Sequence, residues 1–209
     1  MNPYVVAVAW AVVGAAAGWF MRWGSVRLAR LELLEPGEKP WQVYGPPVLT
    51  AVLFAVFAFA APSFPVLLLR SVFVLVLAQV IFFDLEHRLI LDRIMFPSIA
   101  LALVVSLFSQ PRWLGVATGL GAGLLFLLLA VVGSAIFKTE AMGFGDVKLV
   151  AFIGLLLGWP YTLTALFYGV FLAGLVSVGI IIWNRSMKGS IAYGPYLAIG
   201  ALIVLWKLP

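Results

Sequence analysis

Long apolar runs alternate with short polar breaks along the whole chain, and the runs set its architecture. Residues 3–21 carry no charge and predict a first membrane-spanning helix. Residues 22–45 follow as the longest polar stretch and read as a loop. Its first part predicts a short amphipathic helix at the interface, with Trp23 and Leu28 toward lipid. Further spans are predicted at 46–61, closed by Pro62-Ser63-Phe64-Pro65, and at 66–83, where Arg70 lies near enough to the start to snorkel. The remaining runs are 94–108, 113–137, 147–158, 161–183 and 193–206. The sixth is stopped by Trp159-Pro160, and the fifth carries Gly119-Leu120-Gly121-Ala122-Gly123, a pattern that permits close helix packing.

Composition supports that pattern. Of 209 residues, 65% are hydrophobic and 10% charged, which excludes a soluble domain. Leu, Ala, Val and Gly dominate without regular alternation, so the spans are helices rather than barrel strands. The expected fold is an all-α polytopic membrane protein with eight transmembrane helices, one integral membrane domain over 1–209, and a core at 66–205. The first run has no preceding Lys or Arg and reads as a retained span rather than a signal peptide. There are no cysteines and one histidine, which excludes disulfides and thiolate metal sites and makes any metal centre a poor reading. The net charge of +5 suits cytoplasmic loops better than nucleic acid, since no basic patch is interleaved with stacking aromatics.

Charge sets the expected orientation. Loops 22–45, 84–93, 138–148 and 184–190 hold ten Lys and Arg, against three on the other side (Arg70, Arg112 and Lys207). The ten are expected in the cytoplasm, which puts Asp84 and Asp146 on one face. The sixth run adds depth: twelve helical residues reach only about 18 Å, short of the roughly 30 Å hydrocarbon core. If its far end reaches the outer interface, Asp146 begins inside the membrane region, shielded by protein or lining a wet cavity.

Two polar segments stand out against this background: Glu140 to Leu149, E-A-M-G-F-G-D-V-K-L, and Asp84 to Arg93, D-L-E-H-R-L-I-L-D-R. Asp146 alone reads equally as the N-cap of an apolar helix, and Asp84 alone as a charge closing a span at the interface. Together, two carboxylates on one side at helix ends can share a proton and hold a water. One ionised carboxylate then takes a proton from water while the other donates to a carbonyl oxygen. Asp146, at a helix N-terminus, is expected to be the base, and Asp84, at a helix C-terminus, the acid. Gly143 and Gly145 would let a substrate backbone approach closely.

At this point the sequence resembles the type IV prepilin leader peptidases, membrane aspartic proteases with a G-x-G-D motif. Gly143-Phe144-Gly145-Asp146 with Lys148-Leu149 is similar to the second catalytic motif. Asp84-Leu85-Glu86-His87 through Asp92 is similar to the first, with its spacing of eight between aspartates. Tyr193-Gly194-Pro195-Tyr196 with Gly200 is similar to the closing F-G-P segment. The resemblance covers residues 66–205 and implies Asp84 and Asp146 as the catalytic pair. It also implies cleavage of short, positively charged leaders from prepilins or pseudopilins at the cytoplasmic face, with the substrate helix in the lipid beside the enzyme. Glu86, His87, Asp92, Glu140 and Lys148 are candidates for binding the leader or tuning the pair, each weighed against an ordinary interfacial role.

The chain departs from the family in three places. Leu91 stands where many members have Pro, the paired cysteines of the zinc module are missing, and 22–30 does not match the usual Gly-Ser-Phe-Leu-Asn stretch. Nothing supports the N-methyltransferase activity of bifunctional members, so S-adenosylmethionine is expected only if that activity is retained, and no other cofactor is. The rival readings are an archaeal-type preflagellin peptidase, which the short loop fits, and a proton- or cation-coupled transporter. The transporter reading lacks a repeat with matching broken helices.

Overall fold

A computed structural model of the chain describes residues 2–108, 111–138, 142–184 and 192–208. The described residues form eight helices: α1 (Pro3–Leu31), α2 (Pro40–Ala60), α3 (Phe64–His87), α4 (Asp92–Phe108), α5 (Arg112–Phe137), α6 (Phe144–Leu157), α7 (Tyr161–Asn184) and α8 (Gly194–Lys207). Five of them, α1, α2, α3, α5 and α7, are long and apolar enough to cross a membrane, and α8 is a shorter apolar helix. The chain is thus an all-α, multi-pass membrane protein. Residues Met1–Arg88 with Leu205–Pro209 make one compact unit and Leu89–Val204 a second.

In the first unit, α1 does not end at Met21 but runs unbroken to Leu31. The predicted loop 22–45 therefore shrinks to 32–39. Arg22, Ser25 and Ala29 recur at helical spacing and are buried, so the helix continues because one face still has something to pack on. Trp23 stays exposed beneath the Arg27 guanidinium, 3.7 Å from its ring centroid, while Leu28 is half-buried. Likewise α2 starts at Pro40, not Pro46, because Pro40 occupies the tolerated first turn and Gln42 Oε1 accepts the Lys39 N–H at 2.9 Å. Pro46 and Pro47 are left inside the helix.

The first two helices touch through Gly18, where an added Cβ would fall 2.6 Å from the Pro47 Cα. Beside it Thr50 Oγ1 lies 2.7 Å from the Gly14 carbonyl oxygen, a polar link between the helices. Arg70 does not snorkel. It is buried, with its guanidinium donating to the carbonyls of Ala60 (3.4 Å) and Leu208 (2.9 Å), which lack helical partners at helix ends.

The second unit is built on α6. Leu149, Val150, Phe152 and Ile153 are inaccessible to solvent, as befits a helix apolar on every side. Its fourteen residues span about 21 Å. It packs on α4, α5 and α7. Against α5 the approach is set by Gly154, where a Cβ would stand 2.6 Å from the Gly119 Cα. Of the predicted glycine run, Gly119 and Gly123 face α6 and Gly121 faces open space. At the other side Gly200 of α8 sits against Ala165 and Gly169 of α7.

Candidate active site

The first candidate segment is the end of α3. The helix does not stop before Asp84 but continues one turn to His87, closed by Arg88 in the left-handed conformation (φ 54°), whose N–H donates to the Asp84 carbonyl at 2.8 Å. Asp84 is only 5% exposed. The side chain of Glu86, two residues on, is only 6% exposed, and Arg22 Nη1 donates to its Oε2 at 3.0 Å and Oε1 at 3.4 Å. The Gly37 N–H also donates to Glu86 Oε1, and Arg22 Nη2 donates to the Gly37 carbonyl. His87 Nε2 stands 3.3 Å from Glu86 Oε1, and its ring packs on Phe83 at 4.7 Å between centroids. Glu86 and His87 thus come together, in company with two residues that the sequence left in a loop.

The second segment opens α6. Gly143, not Asp146, is the N-cap (φ −67°, ψ 141°), and Asp146 is the third helical residue, its N–H donating to the Gly143 carbonyl at 3.1 Å. The correction has a physical cause: Phe144 and Gly145 already take helical geometry, so the carboxylate lies in the first turn. There the exposed N–H groups and the positive end of the helix dipole favour negative charge. Asp146 is 9% exposed.

The two motif glycines differ. A Cβ at Gly145 would meet the Ile90 Cβ at 2.9 Å, so this glycine lets the segment before α4 lie against α6. Gly143 is exposed, and among the described residues a Cβ there would meet only Asp146 Oδ2, at an ordinary 3.6 Å. Packing among the described residues does not demand glycine at that position.

Lys148 does not turn toward Asp146. Residues two apart on a helix face different ways, and Lys148 Nζ instead donates to Asp92 Oδ1 at 2.6 Å. It lies 4.9 Å and 5.0 Å from the ring centroids of Phe96 and Phe144. Lys148 and Asp92 therefore tie α4 to α6. Glu140 lies outside the described residues. Among the described residues no group of three or more metal-ligating side chains occurs.

Sequence reasoning missed Arg22 and Gly37 as partners of Glu86. The available signal was Arg22 itself, the first charge after an uncharged run, in register with Ser25 and Ala29. Gly37, between Pro36 and Glu38, gave no sign that its backbone would be held from two helices.

Residues 71–178 match the model of the type IV leader peptidase family, and the chain belongs to that family. The matched span contains Asp84, Asp92, Asp146 and Lys148 but not Arg22 or Gly37. Relatives carry more particular names. The chain is 35% identical over 130 residues to a prepilin leader peptidase/N-methyltransferase of Pseudomonas putida, which covers 59% of this chain and 44% of that protein. A prepilin leader peptidase/N-methyltransferase of Bacillus subtilis (strain 168) is 30% identical over 164 residues, covering 75% and 62%. Leader peptidase HopD of Escherichia coli is 31% identical over 128 residues, covering 59% and 82%. The matched stretch spans less than half the length of the Pseudomonas and Aeromonas relatives. No solved structure matches the chain.

Proposed function

We propose that the chain is an aspartic endopeptidase of the G-x-G-D type that cleaves leaders from type IV prepilins or pseudopilins. The observation that carries this reading is the burial of two carboxylates, Asp84 and Asp146, at helix ends within the span shared with the family. Buried carboxylates in apolar surroundings are costly unless they serve a purpose. The reading requires the two to come within reach of one water.

Asp146, in the first turn of α6, is the ionised partner. It takes a proton from water as the oxygen adds to the scissile carbonyl carbon. Asp84, at the C-terminal end of α3 where the helix dipole opposes charge, donates its proton to the carbonyl oxygen. The tetrahedral intermediate collapses with proton transfer to the leaving nitrogen and return of a proton to Asp84. One water is consumed and a carboxylic acid and an amine are formed. Because the pair shares a proton, it titrates as a pair. Gly143, exposed and free of steric demand, is suited to backbone approach by the substrate.

The excess of Lys and Arg in the loops flanking both aspartates supports a cytoplasm-facing site in the cell membrane. Prepilin-like substrates and membrane lipids are the proposed partners, nucleic acid is not, and no cofactor is assigned to the cleavage. No residue described here supports methyl transfer. The test is cleavage of a model prepilin by purified protein, wild type against Asp84→Asn and Asp146→Asn, with methyl transfer from S-adenosylmethionine followed in the same samples. Loss of cleavage in both folded variants supports the pair. Retained cleavage in both removes the mechanism, and failure of the wild type on several prepilins reopens the preflagellin and transporter readings.

A further inference from the structure

The last turn of a helix is ordinarily its loosest part, because its carbonyls lack helical partners and its residues fray. In α3 that turn carries Asp84, and it is held by contacts within the first unit that catalysis as described does not use. Glu86 accepts from Arg22 at both carboxylate oxygens and from the Gly37 N–H at one of them. Arg22 in turn donates to the Gly37 carbonyl. One residue of the 32–39 strap, Gly37, is therefore gripped at its N–H by a side chain of α3 and at its carbonyl by a side chain of α1. Both grips are shielded, since the Arg22 and Glu86 side chains are 11% and 6% exposed. A Cβ added at Gly37 would displace the Gln42 amide, which fixes the start of α2 through the Lys39 N–H.

We propose that Glu86 is a positioning residue for Asp84. Through Arg22 and Gly37 it anchors the end of α3 to α1 and the strap, so that the Asp84 carboxylate is held in one orientation. This rests on Asp84 being one of the catalytic pair. Glu86 points away from Asp84, as residues two apart on a helix do, and acts on it only through the shared turn. The arrangement is selective in its chemistry: the carboxylate faces donors at both oxygens. Glu86→Gln keeps the shape but sets an amide N–H against the Arg22 guanidinium or the Gly37 N–H. The exchanged pair, Arg22→Glu with Glu86→Arg, restores an ion pair but sets a donor against the Gly37 N–H and an acceptor against its carbonyl.

Two measurements test the proposal on the full-length protein in lipid. In prepilin cleavage, Glu86→Gln is expected to lower kcat about 10- to 100-fold, the scale of a small misplacement of a catalytic group, with KM unchanged. The exchanged double variant is expected not to recover that loss, since the ion pair returns but the grip on Gly37 does not. For the second measurement, the chain has no native cysteine, so Glu38→Cys and Leu85→Cys, both at exposed positions, accept spin labels selectively. A narrow distance distribution between them is expected to broaden when Glu86→Gln is added.

Unchanged kcat in folded Glu86→Gln, an effect on KM alone, or an unaltered distance distribution would each overturn the proposal. The distance measurement needs no substrate. It therefore decides the clamp even where the wild type cleaves no prepilin, the outcome that removes the proposed function instead.

Discussion

The two units each present an aspartate at a helix end, but they support it in opposite ways. Asp84 lies in the last turn of a helix of 24 residues, and that turn is tied by a shielded network of Arg22, Glu86, His87 and Gly37. Asp146 lies in the first turn of a helix of fourteen residues packed on three neighbours, and a neighbouring ion pair, Lys148 with Asp92, has a carboxylate that is 55% exposed. A helix C-terminus that carries a functional group needs side-chain anchors, because its backbone offers nothing that favours an anion. A helix N-terminus supplies its own N–H groups and dipole. The turn of the first aspartate is tied by a charged neighbour, and the helix of the second is packed among apolar side chains.

The largest expected effect falls on both aspartates alike. Asp84→Asn and Asp146→Asn should each lower leader cleavage by about 100- to 10,000-fold, the range for removing a general acid or base. Purified variants should remain monodisperse, since Asn is isosteric and keeps an acceptor oxygen. If one variant retained most of its activity, the two ends would not be equivalent partners, and the comparison would become one of a single catalytic carboxylate and a structural one.

Next comes the buried anchor. Arg22→Ala leaves the Glu86 carboxylate without its cationic partner in a shielded site, which typically costs about 3–5 kcal/mol. Thermal unfolding in detergent should register this as a large fall in Tm. Converting both residues to apolar ones of similar size, Arg22→Met with Glu86→Leu, should recover much of the stability, because no charge is then stranded. Recovered stability without recovered cleavage would separate the fold's need for the clamp from the proposed positioning of Asp84.

Packing should break the other end. Gly154→Val puts a branched side chain where the Gly119 backbone already lies, and overpacking of this kind costs about 1–3 kcal/mol. The loss should fall on α6, and with it on Asp146. Gly121→Val on the same α5 faces open space and should leave unfolding unchanged, which makes it the internal control.

Most of the architecture was legible from apolar runs alone, because a span's length is set by the membrane and its composition by lipid. All eight runs correspond to helices of the described residues. Boundaries failed where a tertiary contact overrode a local signal. Arg22 reads as the start of a loop until Glu86 is known to face it, and Pro46-Pro47 reads as a helix start until Pro40 and Gln42 are seen to supply one. Both aspartates were legible because carboxylates are rare among apolar runs. The partners of Glu86 and Lys148 were not, because they are distant in sequence: Arg22 and Glu86 are separated by 64 residues, and Asp92 and Lys148 by 56.

The smallest effect should come from the exposed pair. Exposed ion pairs contribute about 0–1 kcal/mol, and Asp92 faces solvent. Lys148→Met keeps the apolar stem that lies near Phe96 and Phe144 and removes only the charge, so its Tm should stay close to that of wild type. Cleavage should fall little, since Lys148 faces away from Asp146. Raising salt should not alter the wild type's Tm through this contact by more than the variant does. A large loss of cleavage in a stable Lys148→Met protein would mean that the second aspartate depends on a charged anchor after all, as the first does, and the contrast between the two helix ends would collapse.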